Sequence, residues 1–463
     1  MAAVLRSEKL PVGTKVLYGV AEFGISLMTS ALQFFLIYYY TDVLKYNPAI
    51  VGTALLVGKL TWDAFNDPLF GYISDRVKTR LGRRRPFMII GAVPFGLSVW
   101  LIFSVPEGLS GAAAFLAVIG SFLLFDTFHT IVSVPYFAMT PELSHDYDER
   151  TSITVIRKFF GVSGYIAGAA LTTVVAGIFK NSYGWSDKAA YSGMGVVFGI
   201  IVMVTTLISA LTVKEHPFDE MRPSQMPPLK AVLLTLKNKP YMRLMAAFMV
   251  SSFSFTVMTG LFAFFLKYQL DMAKQLPLVL FVMMGALALF LYFWKWVADR
   301  LNKGPAYALG LFIACVAISM SFFLPYGPST LIYVIAFIVG FGFSSQYVFP
   351  WSMLPDCIEH DEKDTAERRE GTYYGVWAVM IKLTSALGVA VIGWSLNLFG
   401  YVAPAASEPV LQSEFARLGI RLFFGPVPAV LMILSLPLLI WFPITRKSHA
   451  DLRVELAARK EGR

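Results

Sequence analysis

Twelve runs of roughly 20 mostly apolar residues recur along this chain of 463, at 17–40, 50–73, 87–103, 112–137, 152–178, 194–211, 244–265, 276–297, 307–324, 331–353, 373–398 and 422–442. A lipid interior offers no partner to a backbone N–H or C=O, so a run of this length crosses it as an α-helix, whose backbone groups satisfy one another. Composition agrees, with 56% of residues hydrophobic and 15% charged and a mean hydropathy of +0.62, far from the balance of a soluble domain. The expected fold is an all-α membrane protein with 12 transmembrane helices. Residues 1–15 lack the short apolar core and small-residue cleavage site of a signal peptide, so the first run is expected to remain as a span. The net charge of +9 would suit nucleic acid, but the basic residues are parcelled into loops, and no nucleic-acid partner is expected. Arg76, Lys78, Arg80, Arg83, Arg84 and Arg85 crowd between the second and third runs, whereas 105–111 and 325–330 hold no Lys or Arg. By the positive-inside rule both termini face the cytoplasm, in a membrane of the bacterial inner or plasma type. With only Cys315 and Cys357 present, neither a disulfide nor a Cys-rich metal site is expected.

The second run contains Trp62-Asp63-Ala64-Phe65-Asn66-Asp67-Pro68, two carboxylates where a single charge costs at least about 3 kcal/mol. Such residues face a bundle interior or a watery cavity and mark an ion or substrate path. Four apart, Asp63 and Asp67 share one helix face with Cβ atoms about 6 Å from each other. Anions that close repel unless a proton or a metal ion sits with them. Asn66 adds a carbonyl oxygen on nearly the same face, and an all-oxygen set suits a hard cation. Pro68 has no N–H to offer the Ala64 carbonyl and is expected to kink the helix.

Polar stripes mark other runs. In the first, Glu22, Ser26, Thr29 and Gln33 follow one another at steps of four, three and four. In the fourth, Asp126, Thr130 and Ser133 share a face with His129 beside them. Thr130 offers an oxygen to the same cation, while Asp126 and His129 read as proton carriers or substrate hydrogen-bonders. Arg157 and Lys158 stand near the start of the fifth run. Lys382 lies deep in 373–398, about 14 Å from its nearer end, too far for easy snorkelling. A buried lysine wants an anion. Asp63 or Asp67 is the expected partner when no cation is bound.

The chain turns polar over 212–241, with Pro217, Pro223, Pro227 and Pro228. The expected division is a six-helix bundle at 1–212, a cytoplasmic linker at 213–241, a second bundle at 242–444 and a tail at 445–463. Within the linker, 229–236 can lie on the inner leaflet as an amphipathic helix; in the tail, Ser448 is a candidate N-cap. Asp299-Arg300 with Lys303-Gly304-Pro305 echoes Asp75-Arg76 and its later Gly and Pro (299 − 75 = 224). Pro350 to Asp356 echoes Pro135 to Pro141 (355 − 141 = 214). Similar offsets point to an internal duplication, and duplicated halves rock about a site near the bilayer midplane.

The loop Gly71-Tyr72-Ile73-Ser74-Asp75-Arg76 followed by Leu81-Gly82-Arg83-Arg84-Arg85-Pro86 resembles that between spans two and three of the major facilitator superfamily. The resemblance implies two pseudo-symmetric six-helix bundles, with gating roles for Asp75, Arg76, Arg83 and, in the second half, Asp299 and Arg300. Tyr38-Tyr39-Tyr40-Thr41-Asp42, the Trp62 to Pro68 stretch, Pro135 to Pro141, Pro355-Asp356, Arg369-Glu370-Gly371 and Lys382 narrow it to the glycoside, pentoside and hexuronide cation symporters of the melibiose permease type. That family likeness implies a sodium site at Asp63, Asn66, Asp67 and Thr130, with Lys382 nearby and Arg157 lining the inner pathway. Two departures bear on substrate. Ser26 and Ser133 stand where the melibiose permease type grips sugar hydroxyls with aspartates, and Leu60 replaces an arginine, with Lys59 one position earlier as a stand-in. Residues 350–356 are also similar to the vertebrate sodium-dependent lysophosphatidylcholine symporters, which have an acidic residue at the place of Asp126.

The expected function is cation-coupled symport by alternating access, with Na+ favoured over H+ as coupling ion and no other cofactor. The solute is a small or amphipathic molecule, of glycoside type by family. Its expected path is lined by Glu22, Ser26, Gln33, Asp126, His129, Ser133, Phe137, Tyr347 and Trp351, and Lys382, Lys59 and Arg157 couple it to the cation. The alternatives are a sodium-dependent lysolipid symporter and an uncoupled receptor or scramblase. A monomer in contact with membrane lipids is expected. An enzyme is not: the five histidines are scattered, and neither a Gly-rich phosphate cradle nor a nucleophile with base and orienting partner is evident.

Overall fold

The computed structural model describes residues 10–77, 79–140, 143, 147–213, 228–365, 370–403, 411–449 and 451–452, without the side chains at 63, 64, 68, 72, 75, 147–151, 228–231, 364, 365, 370 and 371. The middle of the expected linker, Pro141, Arg369, the side chains of Asp63 and Asp75, and the tail past 452 therefore lie outside the described residues.

All regular elements among the described residues are helical. The first compact unit contains α1 (Val12–Tyr38), α2 (Pro48–Gly58), α3 (Ala64–Arg76), α4 (Arg85–Ile102), α5 (Gly111–Met139), α6 (Tyr147–Tyr183) and α7 (Asp187–Thr212). The second contains α8 (Pro228–Lys237), α9 (Lys239–Phe264), α10 (Leu276–Leu289), α11 (Leu291–Leu301), α12 (Lys303–Met320), α13 (Leu331–Thr365), α14 (Glu370–Leu398), α15 (Glu414–Phe424) and α16 (Pro426–Ile440). Ten described helices are long and apolar enough to cross a membrane, and α10 with α11, bent by 45° at Phe290, make an eleventh if taken as one span. The remaining expected span is the helical run at 48–76, in which a π turn separates α2 from α3 and several side chains lie outside the described residues.

The two units are wired alike. In the first, α1 packs on α6 and α7, α4 on α5 and α7, and α2 on α5; in the second, α9 packs on α14 and α16, α12 on α13 and α16, and α10 on α13. The likeness extends to a detail that hydropathy does not show. Helix α1 runs into a π turn at Tyr39–Val43 followed by Lys45 at φ +65°, and α9 runs into a π turn at Phe265–Gln269 followed by Asp271 at φ +51°. Both features recur at one offset (265 − 39 = 271 − 45 = 226).

Close backbone approach holds the first unit together. On α6, a Cβ added at Gly164 would meet the Phe23 carbonyl oxygen of α1, and one at Gly168 the Leu27 carbonyl oxygen. Gly96 of α4 and Gly199 of α7 face each other in the same way. Lipid supplies little hydrophobic drive between helices, so contact surface gained through small residues matters more than in water.

The arginine loop has a structural share. Arg85 donates from Nε to the Ala210 carbonyl at 2.7 Å and from Nη2 to the Leu211 carbonyl at 3.0 Å, capping the C-terminal end of α7, and buried Arg84 donates to Ser74 Oγ at 2.6 Å. A cation at a helix C-terminus answers both the free carbonyls and the helix dipole. Arg85→Met is expected to lower stability by about 1–2 kcal/mol, read as a drop of a few degrees in the melting temperature of the purified protein. An unchanged melting temperature would remove the capping role.

The linker helix is present as α8. In the tail, Thr445 and not Ser448 takes the N-cap position: Ser448 N–H donates to Thr445 Oγ1 at 3.2 Å, and Thr445 N–H donates back to Ser448 Oγ at 2.8 Å. Two hydroxyl residues three apart form this reciprocal box, and the earlier of them is the cap.

Candidate cation and substrate site

The carboxylate stretch does not continue α2 as a plain helix. Residues Lys59–Asp63 form a π turn between α2 and α3, so the break in winding precedes Pro68 by more than one turn. A π turn inserts one extra residue and re-aims those on either side, a device common at functional sites. Asn66 and Asp67 follow in the first turn of α3.

Hydrogen bonds between side chains then tie this run to α5. Trp62 Nε1 donates to Thr127 Oγ1 at 2.8 Å, Thr130 Oγ1 donates to Asp67 Oδ1 at 2.9 Å, and Asn66 Nδ2 donates to Asp126 Oδ2 at 3.1 Å. Asn66 and Thr130 are fully or almost fully buried, Asp126 is buried, and Asp67 is half-buried. The Asn66 Oδ1 atom is buried with no hydrogen-bond partner among the described residues. A buried carbonyl oxygen left so costs about 1–3 kcal/mol, and a hard cation would satisfy it. Three of the four residues expected to hold the ion are thus brought to one α3–α5 contact; the fourth, Asp63, sits at the end of the π turn with its side chain outside the described residues. Lys59 Nζ stands 5.4 Å from the centre of the Phe122 ring.

A second cluster joins α1, α5 and α6. Buried Glu22 has Arg157 Nε at 3.7 Å and Lys158 Nζ at 3.7 Å, so one carboxylate faces two cations. Neither Glu22 Oε2 nor Arg157 Nε has a hydrogen-bond partner among the described residues, which makes the pairing Coulombic. Arg157 Nη1 donates to Thr140 Oγ1 at 2.6 Å, and its guanidinium lies 5.4 Å from the centre of the exposed Phe137 ring. Tyr18 hydrogen-bonds to Thr140 Oγ1 at 2.7 Å and donates to the Tyr136 carbonyl at 2.6 Å. Sequence reasoning passed over Tyr18, although it lies one turn before Glu22 on the same stripe. Ser26 is half-buried beside Gly161 of α6, Gln33 is half-buried and Ser133 is buried. Thr29 donates back to the Ile25 carbonyl of its own helix at 2.9 Å. His129 packs between the rings of Phe95 and Phe125, at 5.6 and 5.8 Å.

In the second unit Lys382 is half-buried on α14, while Tyr347 and Trp351 of α13 are exposed at the surface of the protein. The echo of the arginine loop is wired to the tail: Arg446 Nη1 lies 3.9 Å from Asp299 Oδ1, and Arg300 lies over the Trp296 ring at 3.9 Å. Arg76 is exposed and Arg83 half-buried in the first unit. Lys303 of the echoed loop pairs with Asp356 at 2.6 Å, and His449, which no motif marks, places its Nε2 2.9 Å from Glu359 Oε2.

Helices that cross a membrane in two similarly wired units, with polar side chains gathered inside them, define an integral membrane transporter of the major facilitator type. The MFS/sugar transport protein family matches residues 17–446, and the chain belongs to that family, whose members carry solutes and are not enzymes. It is 29% identical over 461 residues to the putative glycoside/cation symporter YagG of Escherichia coli, covering 98% of this chain and 95% of that one. It is 26% identical over 491 residues to the mouse sodium-dependent lysophosphatidylcholine symporter 1, covering 98% and 90%. Among solved structures, a bacterial homolog of the human lysosomal transporter Spinster superposes with a TM-score of 0.65 at 14% identity, covering 94% of this chain and 98% of that chain. The nucleoside transporter NupG gives 0.63 at 15%, covering 92% and 98%. At these identities the structures speak for the fold alone.

Proposed function

We propose that the chain is a cation-coupled symporter whose ion, sodium in preference to a proton, is carried at Asp63, Asn66, Asp67 and Thr130. The observation that carries the reading is the buried, partner-free Asn66 Oδ1 beside the Thr130–Asp67 bond. Oxygen donors without sulfur or ring nitrogen match a hard monovalent cation. The relatives named as cation or sodium-dependent symporters support the same reading. Cation binding neutralises the two aspartates, which permits the loaded carrier to turn. Ion and solute then favour each other's binding to the same extent, because linkage is reciprocal.

The solute is a glycoside by family. The Glu22 cluster favours a second reading, an amphipathic solute with an acidic head such as a lysophospholipid. Ser26 and Ser133 offer no negative charge, Glu22 is outweighed by Arg157 and Lys158, and the exposed Phe137 ring supplies apolar surface next to them. In proteoliposomes, an inward sodium gradient is expected to drive uptake of one of the two classes, and collapsing the gradient to stop it. Gradient-independent movement of lysolipid would instead indicate a scramblase, and no uptake of either class under sodium or proton gradients would sink the symport reading.

A further inference from the structure

The surroundings of the Asn66 amide dictate which way it points. Its Nδ2 lies 3.1 Å from Asp126 Oδ2 and 3.2 Å from the backbone carbonyl oxygen of the same residue. A carbonyl and an ionised carboxylate only accept, so a flipped amide would set oxygen against oxygen at both places. With Nδ2 held there, Oδ1 is turned away from both acceptors, buried and without a hydrogen-bond partner among the described residues. Asn66 is 0% exposed and Asp126 6%, so water does not readily substitute for either group. One helical turn along α5, Thr130 spends its only proton on Asp67, which leaves its oxygen lone pairs for another partner.

We propose that Asp126 is a positioning residue of the cation site: it holds the Nδ2 end of Asn66 so that Oδ1 is presented to the ion, and does not touch the ion itself. The inference rests on the cation-coupled reading above. It moves Asp126 from the solute path, where its sequence position put it, to the support of an ion ligand. An amide pinned from behind binds a cation without losing rotational freedom on binding, and it cannot turn an N–H toward the positive charge. Removal of such an outer partner typically weakens metal affinity roughly 10- to 100-fold.

The test is sodium binding to the full-length purified protein, by titration calorimetry without solute. Asp126→Ala is expected to lose roughly 10- to 100-fold in sodium affinity, while Asp126→Asn, which keeps an oxygen to accept from Asn66, stays near wild type. In an Asn66→Ala background, Asp126→Ala is expected to cost nothing more, because its effect runs through the amide. Should Asp126→Ala not fold, Asp126→Val, which likewise has no side-chain acceptor, takes its place with the same expectation. The proposal is overturned if the alanine variant binds sodium as wild type does, if Asp126→Asn loses as much as alanine, or if the two substitutions simply add. A wild-type protein that binds no sodium fails differently: it removes the cation-coupled reading along with this one.

Discussion

Asp67→Asn is expected to abolish sodium-driven uptake and the stabilisation of the purified protein by sodium. The asparagine keeps an oxygen that can accept the 2.9 Å bond from Thr130, so the α3–α5 contact and the fold are retained. What is lost is the negative charge. Taking one charge out of a buried ionic contact costs about 3–5 kcal/mol, more than roughly 100-fold in affinity. The measurement is the shift in melting temperature on adding sodium, paired with uptake in proteoliposomes. A variant that still takes up solute with the sodium dependence of wild type would remove Asp67 from the ion site. Loss of sodium stabilisation with uptake preserved under a proton gradient would keep the site and change the coupling ion.

The second large effect is structural. Gly168→Leu is expected to prevent accumulation of folded protein, because its Cβ would overlap the Leu27 carbonyl oxygen and a backbone atom cannot rotate away. Helices α1 and α6 would have to separate along their contact, and overpacking of a tight interface costs about 1–3 kcal/mol or more. Gly168→Ala brings the same Cβ against that oxygen but adds no atoms beyond it, and should give a folded protein of lowered melting temperature. Gly120→Leu is the matched control, since a Cβ there meets nothing within 4 Å. Size-exclusion profiles of the fluorescently tagged variants separate these cases. A sharp monodisperse peak for Gly168→Leu would show that the contact between α1 and α6 is looser than described.

The residues read from spacing fared unequally, for reasons of range. Asp67 and Thr130 were placed together from their stripes alone, and they meet in a hydrogen bond, because a buried charge leaves few acceptable faces on either helix. For Asp126 the stripe specifies a face and no partner. Its stripe says that it points inward, whereas its partner Asn66 lies 60 positions away. Thr29 illustrates the opposite case: a polar residue on an inward stripe can be satisfied by its own helix carbonyl. The π turn at Lys59–Asp63 leaves no trace in hydropathy, since one extra residue per turn changes the direction of side chains and not their polarity.

From the sequence by itself came the membrane-crossing helices, the family, and the polar residues that must turn inward, because lipid penalises unpaired backbone and exposed charge at every position independently of neighbours. Only the tertiary structure decided which inward groups share a partner: Asn66 with Asp126, Glu22 with both Arg157 and Lys158, Arg85 with the end of α7. Those choices depend on the register and separation of helices far apart in the chain. That register is set by where small residues let two backbones touch, a property of pairs of surfaces that no single helix carries.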